Sequence, residues 1–132
     1  MIKPTYDMKK LILLLFIPIV FGCGGDVKNE PVITLEYITE PLQNVGIDIQ
    51  KRATQRMVVS TESIPSEEIL KNTAYKHWDK SSYSIYNELT VFIYLPEMDT
   101  GWAAYCIVEF DKNGAINQFR INESSILGTK WE

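Results

Sequence analysis

The heptapeptide Leu89 to Leu95 (Leu-Thr-Val-Phe-Ile-Tyr-Leu) constrains this chain more than any other stretch. At a period of two, Leu89, Val91, Ile93 and Leu95 fall on one side, and Phe92 and Tyr94 on the other. A strand that is apolar on both faces belongs inside a sheet, with a neighbour along each edge. Pro96 ends it, and Pro96 to Gly101 reads as a turn. Two further strand-like runs follow, Ala103 to Phe110 and Ala115 to Ile121, joined by Asp111-Lys112-Asn113-Gly114. Asn-Gly between two such runs is a strong hairpin signal. The three runs are expected to form an antiparallel meander.

Upstream, Ser66 starts a helix. Pro65 precedes it, its hydroxyl can cap, and Glu67 and Glu68 place negative charge against the positive end of the helix dipole. Ile69, Leu70, Thr73, Ala74, His77 and Trp78 then share one face, and the helix is expected to stop between Asp79 and Ser82, with Ser81 to Ser84 as loop. Val32 to Ile38 alternates as a half-buried strand that Pro41 breaks. Asn44 to Thr61 reads as extended, with an interruption around Gln50 to Gln55. The expected fold class is α+β: one helix packed on an antiparallel sheet, in the order β-(β)-α-β-β-β.

The N-terminus is of a different kind. Lys9 and Lys10 precede an 11-residue apolar run, Leu11 to Phe21. As a helix this run spans about 16 Å, against a hydrocarbon core about 30 Å thick. A basic start and a short apolar run are the pattern of an export signal. Val20-Phe21-Gly22-Cys23 resembles the lipobox of bacterial lipoproteins, with Phe21 at a position where Ala or Ser is more usual. The resemblance implies that residues 1–22 are a signal peptide, that the chain is cut before Cys23, and that the Cys23 thiol is diacylated. Two or three acyl chains, at about 0.8 kcal/mol per buried methylene, anchor stably where one does not. Met8 before the two lysines is a more typical start for such a signal than Met1. Residues 23–31 then form a lipidated cysteine and a short tether, and residues 32–132 a single small domain.

Composition narrows what such a domain can be. With 45% hydrophobic and 11% aromatic residues, the chain is not intrinsically disordered. Gly 7, Pro 6 and Cys 2 exclude a collagen and a disulfide scaffold. Residues 1–22 hold three of the 13 basic and one of the 17 acidic side chains, so the remainder carries a formal charge of −6. That balance argues against nucleic acid as a partner. It also leaves the lipid, rather than a basic face, to hold the membrane. With Cys23 taken by the anchor, Cys106 has no intramolecular partner.

The block from Ile64 to Gly114 carries a second resemblance. Its Ser-Glu-Glu-led helix, Thr90-Val91-Phe92-Ile93-Tyr94-Leu95-Pro96 with Met98 two residues on, Ala104-Tyr105 and the closing Asn-Gly turn resemble a family of small bacterial and phage proteins with a "YLPxM" strand end. That family has no established activity, so the resemblance bears on fold alone.

No catalytic constellation stands out. His77 is the single histidine, and a dyad with Cys106 competes with the simpler reading of both as packed residues. One histidine and one spare cysteine do not make a zinc site, Asp111-Asn113-Gly114 lacks the rest of a calcium loop, and no cofactor is expected. Glu97 and Asp99 lie in the turn beside Trp102, where two carboxylates and an aromatic can bind a sugar or do acid–base work. Tyr83 and Tyr86, with Trp102, are candidates for a contact patch. Lys51, Arg52 and Arg56 form a basic cluster suited to an acidic partner, or to the commoner role of a charged strand edge. The resulting expectation is a lipid-anchored (palmitoylated) protein on the extracytoplasmic side of the bacterial cell envelope, at the outer membrane if the host is Gram-negative. It would be a non-enzymatic binding or interaction module with an envelope protein or glycan as partner. A small envelope hydrolase using Glu97 and Asp99 is the alternative.

Overall fold

The computed structural model describes residues 33–46, 51–78, 83 and 85–132. The expected signal segment 1–22, Cys23 and its tether lie outside the described residues. So do residues 47–50 of the second extended stretch and residues 79–82, where the helix was expected to end. The described elements are β1 (Glu36–Thr39), β2 (Gln43–Asn44), β3 (Arg52–Ser60), α1 (Glu67–His77), β4 (Glu88–Tyr94), β5 (Cys106–Asp111), β6 (Ile116–Ile121) and a 3-10 turn (Glu123–Ile126). The class is α+β: one helix and a six-stranded sheet in the order β1-β3-β4-β5-β6, with β2 also paired to β3.

The expected meander is present, since β4 pairs antiparallel with β5 and β5 with β6. The sheet as a whole is mixed, which corrects the antiparallel expectation. β3 and β4 run parallel, in register from Arg52 opposite Glu88 to Val58 opposite Tyr94. A parallel pair needs a crossover, and α1 supplies it. β1 and β2 lie along the other edge of β3, both antiparallel to it.

β3 corrects the sequence reading in a second way. It is continuous through Arg52–Gln55, where an interruption was expected. Ala53, Gln55, Met57 and Val59 all point inward and are buried. Gln55 breaks the apolar alternation in the sequence. Its side-chain amide donates to the Glu40 carbonyl, so the group is satisfied although buried. β3 is therefore an interior strand, and Arg52 and Arg56 do not guard an edge.

α1 forms where the sequence places it. The Ser66 hydroxyl accepts the Ile69 amide at 3.3 Å, and Trp78 is the C-cap residue. Leu70, Thr73 and Ala74 are buried against the sheet. Together with Leu89, Val91, Ile93, Val108 and Phe110 they build the core between helix and sheet. Each large aliphatic or aromatic side chain buried this way is worth about 1.5–3 kcal/mol. Trp78 and Tyr75 both approach the Phe110 ring, at 6.4 and 5.5 Å between centroids. The opposite face of β3, β4 and β5 carries the even-numbered residues of β3 and β4. Several of these are half-buried, and α1 does not cover them.

The β5–β6 hairpin has a three-residue loop. Asp111 Oδ1 accepts the amides of Asn113 and Ala115 at 2.7 and 3.0 Å. Gly114 alone takes a left-handed backbone, with φ of 80°. A Cβ on Gly114 would sit 2.7 Å from the Trp78 ring. We therefore expect Gly114→Ala to cost about 2 kcal/mol, since the left-handed backbone is penalised and Trp78 is displaced from Phe110. Urea unfolding of the two proteins measures this, and an unchanged midpoint would contradict the packing described.

Candidate functional site

The sequence after β4 closes back on the sheet rather than leaving it. The Leu95 amide donates to the Met98 sulfur at 3.3 Å, and the Met98 amide to the Leu95 carbonyl at 3.2 Å, forming a tight turn. Glu97, inside that turn, has φ of 68°, a conformation that costs a non-glycine residue about 1–2 kcal/mol. The C-terminal segment holds it in place. Lys130 Nζ lies 2.7 Å from the Glu97 carboxylate and 4.9 Å from the centre of the Trp131 ring. Trp131 Nε1 donates to the Pro96 carbonyl at 2.8 Å, with its ring buried in the core.

The second half of the turn is pinned to the face that α1 leaves open. The Tyr94 hydroxyl donates to the Trp102 carbonyl at 2.9 Å, and Thr100 Oγ1 donates to Glu40 Oε1 at 2.8 Å. The other Glu40 oxygen lies 3.6 Å from Arg56. Burial under the turn pushes the Tyr94 hydroxyl above its ordinary pKa, and the adjacent Arg56 partly opposes this. Asp99 Oδ1 accepts the Gly101 amide at 2.8 Å and shapes the tip.

Held this way, the turn presents Trp102 outward, 78% exposed. Its indole stands between two recesses. On one side a cleft of about 450 Å³ is lined by Glu97, Met98, Asp99, Ser124, Ser125 and Leu127. On the other, a smaller depression of about 200 Å³ lies on the open sheet face. Its floor is one cross-strand row, Arg56–Phe92–Ile107–Arg120, running from β3 to β6. Arg120 is exposed and makes no ion pair among the described residues.

Of the residues singled out in the sequence, Glu97, Asp99 and Trp102 are brought together at one cleft. Arg56 joins the neighbouring depression, whereas Arg52 pairs with Glu88 at 3.7 Å at the far end of the same strands. Tyr83 and Tyr86 do not join Trp102. They precede β4 and pack against the core, with the Tyr83 hydroxyl 3.1 Å from His77 Nε2. Trp102 follows β4, at the other end of a seven-residue strand. Arg120 and the C-terminal strap were missed in the sequence. Neither has a local signal, because a strand residue and a terminal tryptophan acquire their roles only from what the fold places beside them.

His77 and Cys106 do not form a dyad. Cys106 is fully buried and feels Glu67 and Lys71, at the start of α1, and burial pushes its thiol up to about 12. His77 sits at the other end of the helix, its ring 5.4 Å from that of Tyr37 and 5.9 Å from that of Tyr83. Among the described residues no group of His, Cys, Asp and Glu is arranged to hold a metal ion, and no helix is long and apolar enough to cross a membrane. Comparison with known protein families, with curated proteins and with solved structures finds no match to this chain.

Two outcomes follow. Trp131→Phe keeps an aromatic side chain in the core but loses the indole N–H, its bond to Pro96 and part of the packed ring, so it should cost at least about 1 kcal/mol and speed amide exchange across residues 97–102. Uniform exchange protection in the variant would show that the strap does not hold the turn. Burial also lowers the pKa of His77, so the folded protein binds fewer protons there than the unfolded chain. This contribution to stability is fully present above the unfolded value of about 6.5 and is lost as pH falls from there through the folded value. Unfolding midpoints between pH 7.5 and 5.5 should fall for the native chain and stay flatter for His77→Gln.

Proposed function

We propose that this chain is a bacterial lipoprotein: residues 1–22 direct export, Cys23 carries the lipid, and the domain from Ile33 onward works at the extracytoplasmic face of the envelope. Lys9-Lys10, the Leu11–Phe21 run and Val20-Phe21-Gly22-Cys23 support the anchor. In a host with two membranes the outer one is the destination, since Gly24 offers no retention signal. The domain is a non-enzymatic binding module, and its contact surface is the turn that carries Trp102. The observation that carries this is the exposed indole between two recesses, held out by a turn anchored at both ends. A large aromatic surface in water, on a preorganised support, is characteristic of a contact site.

The hydrolase reading finds less support in the same geometry. A general acid needs a carboxyl kept protonated in an apolar setting. Glu97 is instead ion-paired to Lys130, with its side chain 72% exposed, and Asp99 holds the backbone of its own turn. The binding partner is an envelope protein, a glycan or a smaller ligand presented there.

Growth with labelled palmitate, followed by fractionation, tests the anchor. The native chain should carry label and sediment with membranes, with a mature N-terminus at Cys23. Cys23→Ala should lose the label and accumulate unprocessed. Labelling that persists in the variant would overturn the proposal.

A further inference from the structure

The two recesses beside Trp102 differ in charge. The larger is acidic, with Glu97 and Asp99 on its wall. The smaller is basic, with Arg56 and Arg120 at the ends of the row that floors it. Their charged groups are not equally available. Glu97 is neutralised by Lys130, and Arg56 by Glu40. Asp99 and Arg120 have no ionic partner among the described residues, so one uncompensated charge of each sign remains, with an exposed indole between them.

The hydroxyls of the acidic cleft sharpen this. Ser124 Oγ donates to Asn122 Oδ1 at 2.7 Å, and Ser125 Oγ donates to the Asn122 carbonyl at 2.7 Å. With their protons used internally, these hydroxyls face the cleft as acceptors, as does the Asp99 carboxylate. That side suits a ligand group that supplies donors or is itself cationic. Trp102 adds a π face, which attracts a cation held within about 6 Å of the ring. On the opposite side a guanidinium over an apolar floor suits a carboxylate or phosphate, which it can grip through two parallel hydrogen bonds.

Trp102 is also unexplained by the fold. Its side chain takes no part in the core; only its backbone is used, the amide donating to Asp99 and the carbonyl accepting from Tyr94. We propose that Trp102 and its flanking recesses bind a small zwitterion, with its ammonium against Trp102 and Asp99 and its anionic group against Arg120. This rests on the reading of the Trp102 turn as the contact surface. The shared chemistry is an ammonium and an anion on a short spacer, which a phospholipid headgroup or a free amino-acid-like solute could both supply.

The test is calorimetric titration of the full chain in nonionic detergent. The probes are phosphocholine, phosphoethanolamine and glycine betaine, with tetramethylammonium and inorganic phosphate as half-ligands. At least one zwitterion should bind about tenfold or more tighter than either half, as two charge contacts closed together require. Preference for the phospho-compounds would identify a headgroup as the source, and preference for betaine a free solute. Asp99→Asn keeps an acceptor for the Gly101 amide and removes the charge, and Arg120→Gln removes the opposite one. Each should weaken binding about tenfold. Trp102→Ala should abolish it while leaving the urea midpoint in place. Equal affinity for a zwitterion and a half-ligand, absence of zwitterion binding, or affinity left unchanged by Arg120→Gln would overturn the proposal. None of these results touches the palmitate assay, so the anchored-module reading stands or falls separately.

Discussion

Everything else in this domain depends on the parallel register between β3 and β4. Two parallel strands cannot be joined by a tight turn, so the chain must cross the sheet, and α1 is the crossing segment. That crossing commits one face to the helix. Leu89, Val91 and Ile93 go beneath it with Ala53, Met57 and Val59, and Phe92 and Tyr94 are left on the other side. Strand β4 is apolar on both faces because both are used: one makes the core, and the other is the floor on which the turn after the strand lies down.

That turn explains what the Tyr94-Leu95-Pro96-Glu97-Met98 segment does. Tyr94 reaches across the open face to the Trp102 carbonyl, and Leu95 is buried and donates its amide to the Met98 sulfur. Pro96 offers its carbonyl to Trp131, and Glu97 occupies the left-handed position under the grip of Lys130. Each residue of the segment has a separate structural task, which accounts for its distinctive composition. The strain at Glu97 is offset locally, by an ion pair and by the tryptophan next to the residue that makes it.

The parts of the fold readable in the sequence are those set by neighbours along the chain. The Ser66 cap, the α1 face, the alternation of β4 and β5 and the Asn113-Gly114 turn each depend on residues within a few positions of one another. The parallel pairing depends on residues about 35 positions apart, and Gln55 hid the period of β3 because a buried amide reads as a surface residue until its acceptor, the Glu40 carbonyl, is known. The candidate site divides the same way. Glu97, Asp99 and Trp102 are close in sequence and were legible as a group. Arg120 and the Lys130–Trp131 strap come to the turn through the sheet and the chain end, and no pattern around them announces it.

The exposed indole is best understood through what surrounds it. A mobile loop carrying a tryptophan would fold the ring onto the nearest apolar surface, and Phe92 and Ile107 on the open face provide one. In this turn the backbone that carries the ring is fixed. The Trp102 amide is bound to Asp99 and its carbonyl to Tyr94, while Thr100 is fixed to Glu40. The ring is thereby kept on the ridge between an acidic and a basic hollow. The ordering cost that a ligand would otherwise meet on binding is already met in the folded chain. The fixed backbone of the turn and the opposite charges on its two sides together set an aromatic surface between Asp99 and Arg120.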